Sequence, residues 1–213
     1  MSTLASVAPL PQIDYPESDG EPMGETEIHR QEITDLIEVL AHFFRHRSDV
    51  YVAGNMFLYY EEGNPAAVVS PDVFVVPGVP KTPRRRSYKL WEEGRPPALV
   101  IEVSSRSTRL EDLGNKRALY ALLGIDEYLL YDPMSEYLEP PLRGYRLAGQ
   151  DYEPIANDAD GSISSRLGVT LAVEGDRLRV VESATGEALL RPAEALDEVE
   201  RLRAEVNRLR GGS

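Results

Sequence analysis

Apolar residues recur at helical spacing in one early stretch of the chain: Ile33, Leu36, Ile37, Leu40, Phe43 and Phe44. Steps of three and four put them on one face. They predict an amphipathic helix over about 25–46, with Thr26 as its N-cap. The pattern then changes. Segments at 49–56 and 56–60 mix β-branched and aromatic residues, and Gly63-Asn64-Pro65 marks a turn. Residues 68–76 read as a short apolar strand interrupted by Pro71-Asp72, and residues 77–96 as a polar loop. Ala98 to Val103 is a second apolar strand. A helix over about 109–123 follows, closed by Gly124, and Glu127 to Asp132 is a third strand stopped by Pro133. The strand–helix–strand run at 98–132 has the length of a crossover joining parallel strands. Its continuous apolar strands suit a sheet covered on both faces.

The rest of the chain divides by texture. Residues 1–24 are rich in Pro and Gly and read as an irregular arm. Short strands and turns at 143–190 read as a β-rich extension packed on a core at 25–135, the two forming one domain over 25–190. Residues 191–213 form a tail. There Val199, Leu202, Val206 and Leu209 step by three, four and three, the a/d spacing of a coiled coil, on an amphipathic helix. Two heptads are marginal alone, so the expectation is pairing with another copy, a homodimer, or docking on the body.

Composition narrows the chemistry. The chain has 213 residues, enough for one good core. No cysteine is present, which excludes disulfides, thiolate metal sites and thiol nucleophiles. No run approaches the roughly 20 apolar residues of a membrane helix, and the first residues lack the pattern of a signal peptide. A cytoplasmic location is expected. The net charge of −13 opposes broad affinity for nucleic acid, which depends on Lys and Arg displacing counterions. Of 23 basic residues only three are lysines: Lys81, Lys89 and Lys116.

Two carboxylates stand where apolar residues are expected. Asp72 follows Pro71 inside a β-rich run, and both residue types are poor in strands. Glu102 lies within Leu99-Val100-Ile101-Glu102-Val103, and carboxylates are almost never fully buried unless paired or ligating a metal. On neighbouring strands the two would converge on one hard cation, Mg²⁺ or Mn²⁺. A structural bulge at Asp72 and a structural ion pair at Glu102 are the competing readings. Zinc is disfavoured: His42 and His46 have no third partner and read as solvated. Lys116 lies on the helix after the Glu102 strand, one face with Asp112 and Tyr120. It reads either as a surface pair with Asp112 or as a charge beside the metal. On the first helix His29 falls on the inward stripe and Glu32 borders it; they are the polar groups that could approach the site, with a hydrogen-bonded core histidine as the competing reading of His29. In the loop at 81–95, Arg84, Arg85, Arg86 and Lys89, with Tyr88 and Trp91, form a candidate nucleic-acid contact.

Pro71-Asp72, followed about thirty residues later by Glu102-Val103-Ser104, resembles the PD-(D/E)XK nuclease superfamily. A longer string is more specific: Glu102-Val103-Ser104-Ser105, Ser107-Thr108, Asp112, Lys116, Tyr120, Gly124 and Glu127 to Pro133. It is similar to the Uma family of "putative restriction endonucleases". The resemblance implies an α/β, restriction-endonuclease-like mixed β-sheet core flanked by helices. To this the chain adds the β-rich C-terminal extension and a short amphipathic helix. It also implies an endonuclease hydrolysing phosphodiester bonds, with DNA as partner. Asp72, Glu102 and the Val103 backbone carbonyl would hold Mg²⁺ or Mn²⁺, and Lys116 would assist. His29, Glu32 and Tyr120 would be auxiliary. Ser104 stands where the superfamily usually has Lys, and Lys116 resembles a migrated replacement. A nuclease fold kept as a silent DNA-binding or assembly module is the alternative.

Overall fold

In the chain's computed structural model, residues 13–18, 26–105 and 108–211 are described. The expected arm at 1–24 falls mostly outside them, as does Ser107 of the motif. Helix α1, Glu27–Phe43, begins where the Thr26 side chain accepts a hydrogen bond from His29 N–H. Strands β1, Val50–Ala53, and β2, Leu58–Tyr59, follow. Next come β3, Val68–Val69, and β4, Val73–Pro77, then β5, Tyr88–Lys89, and a one-turn helix α2, Leu90–Glu93. Strand β6, Leu99–Val103, leads to a π-helical segment, Glu111–Lys116, that runs into α3, Arg117–Leu122. Six strands follow α3, the first five being β7, Glu127–Tyr131; β8, Leu142–Ala148; β9, Asp151–Ile155; β10, Ile163–Ser164; and β11, Val169–Glu174. Strand β12, Arg177–Glu182, and helix α4, Pro192–Gly211, end the order.

The main sheet has six strands in the order β1-β4-β6-β7-β8-β9. Only β6 and β7 are parallel, joined by the expected crossover through α3. The fold is therefore a mixed α/β sheet flanked by helices. Alternation along the strands sorts the core into two faces. Val73, Val75, Leu99, Ile101 and Leu129 pack against Ile33, Leu36 and Leu40 of α1, and against the small sheet β10-β11-β12 through Leu171 and Leu178. Phe74, Val76, Val100, Tyr128 and Leu130 pack on the opposite face with Tyr120 of α3. Among the described residues no helix is long and apolar enough to cross a membrane.

Several expected boundaries move. Residues 68–76 are not one interrupted strand: β3 belongs to a second small sheet, β3-β2-β5, and β4 to the main one. Pro71 has no N–H for a ladder, so the chain changes sheets at Pro71-Asp72. The expected loop at 77–96 contains β5 and α2; Tyr88 N–H bonds Phe57 O at 2.8 Å. Of the strands read as an extension packed on the core, two join the core's own sheet. Strand β8 pairs along the whole of β7, and β9 along β8, so both complete the main sheet. An unpaired edge on buried β7 would leave its backbone groups unsatisfied. Ala188 makes one isolated bridge to Val181 and no strand.

Candidate metal centre

Register builds the site. In the antiparallel β4–β6 pair, Val73 faces Ile101 and Phe74 faces Val100. One step outward, Asp72 is brought opposite Glu102, on the face that carries Phe74 and Val100. Like charges directly opposite each other weaken a sheet. Here Glu102 is also fully buried, at 0% exposed, and Asp72 is partly buried, its side chain 14% exposed. Asp72 Oδ2 accepts Val103 N–H at 2.9 Å. Glu102 Oε1 accepts the Tyr120 hydroxyl at 2.6 Å, and Oε2 the Lys116 ammonium at 2.9 Å.

Lys116 therefore reaches the acidic pair, although it sits fourteen residues beyond Glu102. It also lies 3.2 Å from Asp112 Oδ1. The expected Asp112–Lys116 pair exists, but it is not on the surface: Asp112 is 1% exposed and its other oxygen accepts the Ser104 hydroxyl. Asp112 is the group that sequence reasoning missed as part of the centre. Its signal was the four-residue step to Lys116. The π-helical segment spans both residues, a local widening found often at functional sites. Ser104, directly after β6, donates its hydroxyl to Asp112.

Three carboxylates thus surround one ammonium. Burial, followed by the repulsion of Asp112, outweighs the pull of Lys116 and raises the Asp72 carboxyl from 3.8 to about 6. Burial, then Asp72, pushes Glu102 well above the usual carboxylate range. Burial lowers the Lys116 ammonium, but Glu102, Asp112 and Asp72 more than offset it and hold it charged. Burial, then Glu102, raises the Tyr120 hydroxyl, which stays protonated and donates.

His29 projects from the first turn of α1 to 3.7 Å from Asp72 Oδ2. It also lines a cleft of about 570 Å³ with Thr26, Ser104, Ser105, Asp132 and Glu136. Glu32 does not join the centre. Its Oε1 accepts Leu178 N–H at 2.6 Å and Arg191 at 3.0 Å, and its Oε2 accepts Arg191 at 3.0 Å. Facing the inward stripe brought it to β12 and not to β4. His42 and His46 are exposed, as expected.

The basic loop is largely committed to carboxylates. Arg85 makes a two-pronged pair with Glu93 at 2.5 and 2.9 Å and covers the Tyr51 ring at 4.4 Å. Arg86 pairs with Glu17 at 2.6 Å and Lys89 with Glu92 at 3.0 Å, both at the surface, where such pairs contribute little and exchange readily. Arg84 is exposed. Tyr88 is fully buried and its hydroxyl donates to Arg95 O at 2.7 Å, so it presents no face for stacking a base. Trp91 packs on Tyr15 at 5.3 Å.

Gly54 supports the centre from behind. A Cβ there would stand 1.9 Å from Asp72 O and 2.7 Å from the Ile37 side chain. Backbone cannot yield such a clash, so Gly54→Ala is expected to displace Asp72 and to cost about 1–3 kcal/mol, the range for forced overpacking. Thermal unfolding together with a divalent-ion titration checks this; an unchanged melting temperature with unchanged binding would contradict it.

A family model described as Uma2, "Putative restriction endonuclease", matches residues 4–179. The chain belongs to the Uma2 family. That membership spans every residue of the acidic centre, from His29 to Lys116 and Tyr120, and leaves helix α4 outside the match. A solved structure described as a putative nuclease belonging to DUF820, from Anabaena variabilis, has 14% identity to this Uma2 chain and a TM-score of 0.49. The likeness covers 74% of this chain and 86% of that one. No curated protein matches.

Proposed function

We propose that this Uma2 chain is a metal-dependent endonuclease that hydrolyses phosphodiester bonds in DNA, with Asp72 and Glu102 holding Mg²⁺ or Mn²⁺. One observation carries the reading: a fully buried carboxylate, Glu102, and a partly buried one, Asp72, face each other across β4 and β6 with too little positive charge around them. All their donors are hard oxygen, which suits these ions. Among the described residues no three His, Asp or Glu side chains form a ready ligand set. Mg²⁺ does not require one; it is commonly held by one or two carboxylates, with waters and substrate oxygens completing its shell. The carbonyl of Val103, the residue after Glu102, is the backbone donor proposed beside the two carboxylates. A bound divalent ion would supply a polarised phosphate and a water that ionises more easily.

The chain's own residues have separate tasks. Tyr120 fixes the orientation of Glu102 through one oxygen. Lys116, charged and held by Glu102 and Asp112, offers its ammonium to the negative charge that develops on phosphate. Asp112 positions Lys116, and Ser104 in turn positions Asp112. His29 stands between Asp72 and the cleft, where the substrate backbone would enter. Exposed Arg84, with the exchangeable Arg86 and Lys89, is the proposed phosphate contact.

The test combines ion binding with pH. A carboxyl raised in the folded state stabilises the fold below its unfolded value, and that stability is lost as pH rises through the folded value. For Asp72 the window runs from about 4 to about 6. The ion competes with these protons. Added Mg²⁺ is therefore expected to raise the melting temperature at pH 8 and to have little effect at pH 5. Equal effects at both pH values, or none at either, would remove the metal from the reading. Cleavage of plasmid and oligonucleotide DNA in Mg²⁺ or Mn²⁺ then tests the reaction.

The Asp112–Lys116 pair favours a second reading, because a lysine shared between two carboxylates is a stable arrangement in itself. In that case the fold serves as a DNA-binding or assembly module without turnover. DNA binding that needs no divalent ion, with no cleavage, would support it.

A further inference from the structure

We infer that helix α4 joins two copies of this chain in a short parallel coiled coil. The first turn of α4 is anchored: Glu194 binds Arg179 at 2.6 Å and Arg191 N–H at 2.9 Å. Beyond that turn the helix leaves the body. Every residue from Val199 to Arg210 is exposed. The exposed side chains include Val199, Leu202, Val206 and Leu209, each between 41% and 66% accessible. An isolated helix of this length is marginal in water, and a row of apolar residues facing solvent adds to the cost.

The sequence of α4 specifies what covers that row. With Val199 and Val206 at a, Leu202 and Leu209 fall at d. A β-branched residue at a with Leu at d favours two parallel strands. The flanks decide the direction. Glu198 and Glu205 occupy g, and Arg203 and Arg210 occupy e. In a parallel pair each g residue meets the following e residue of the second copy. Glu198 then faces Arg203, and Glu205 faces Arg210. An antiparallel pair would bring Glu198 to Glu205 and Arg203 to Arg210, like charge against like. Arg201 pairs with Glu198 at 2.6 Å within one helix, but this surface contact is weak and leaves the seam open. The arrangement is a two-fold, isologous one, in which each Val and Leu layer meets its own copy.

Sedimentation equilibrium of the full chain tests this. The mass is expected to rise reversibly with concentration from the 23.7 kDa of one chain to twice that value. Leu202→Asp is expected to hold the chain at one copy at every concentration, with the melting temperature of the body unchanged because Leu202 is outside the core. Direction is read by single cysteines, since the chain has none of its own. Leu209→Cys, at d, should cross-link two copies in oxidised glutathione, and Ala204→Cys, on the outer f position, should not. One copy up to the solubility limit, a dimer that survives Leu202→Asp, or equal cross-linking at both positions would overturn the inference.

Discussion

Glu102→Gln is expected to abolish divalent-ion binding and to lower DNA cleavage by more than about 10²-fold. That bound follows because losing even an outer-shell partner of a metal ligand costs about 10–100-fold, and Glu102 is placed as the ligand itself. The substitution keeps the shape of the side chain, so packing between Val100 and Tyr120 is preserved. It removes one of two facing carboxylates and the charge that Lys116 answers. Without metal the variant should be at least as stable as the parent at neutral pH. Burial and Asp72 hold Glu102 well above the carboxylate range, so its ionised form opposes folding there. The combination is diagnostic: function lost, melting temperature held or raised. Calorimetry with Mg²⁺ and Mn²⁺, a cleavage assay and a thermal melt read all three. Parent-like ion affinity in the variant would sink the assignment of Glu102; a collapsed melting temperature would recast it as a structural ion pair.

Arg191→Ala is expected to be the most damaging substitution for stability. Arg191 is 3% exposed and binds Glu32 at 3.0 Å, Asp35 at 2.9 Å and Leu178 O at 2.8 Å. Removing one partner of a buried ion pair costs about 3–5 kcal/mol, because the remaining charge is left uncompensated. Here two carboxylates are left. For a chain of this size about 2–4 °C of melting temperature follows each kcal/mol, so a fall of about 6–20 °C is expected. Replacing the three charges together with apolar residues of similar volume should recover much of the loss. A drop of less than about 1 kcal/mol, the scale of an ordinary substitution, would show that water already screens the cluster. The cluster ties α1 to β12 and to the start of α4. Ion binding at Asp72 and Glu102 should therefore survive in whatever fraction stays folded.

How much of the centre could be read in advance depended on what made each residue conspicuous. Glu102 stood out because a carboxylate interrupts a run of apolar residues, and burial makes that costly whatever the fold. Asp72 stood out because Pro-Asp breaks a strand pattern. Lys116 stood out by its rarity in an arginine-rich chain. Asp112 did not, because a carboxylate four residues before a lysine on a helix is ordinary. Only the packing of that turn on β6 and β7 makes it a buried partner. Glu32 looked like a neighbour of His29. One helical turn separates them, and that turn carries Glu32 from the end of β4 to β12. The basic loop looked free because its acidic partners, Glu17, Glu92 and Glu93, carried no mark of pairing in one dimension.

The sequence by itself determined the helix at α1 with its Thr26 cap, the β6–α3–β7 crossover, the two acidic positions and the heptad of α4. Each follows from local periodicity or from a residue type that its surroundings reject. The tertiary structure alone decided four things: the register that sets Asp72 against Glu102, the joining of β8 and β9 to the main sheet, the capture of Lys116 by both Glu102 and Asp112, and the diversion of Glu32 to Arg191. These depend on which distant segments meet. Strand pairing and buried charge are satisfied by partners far along the chain, and no window of neighbouring residues records who those partners are.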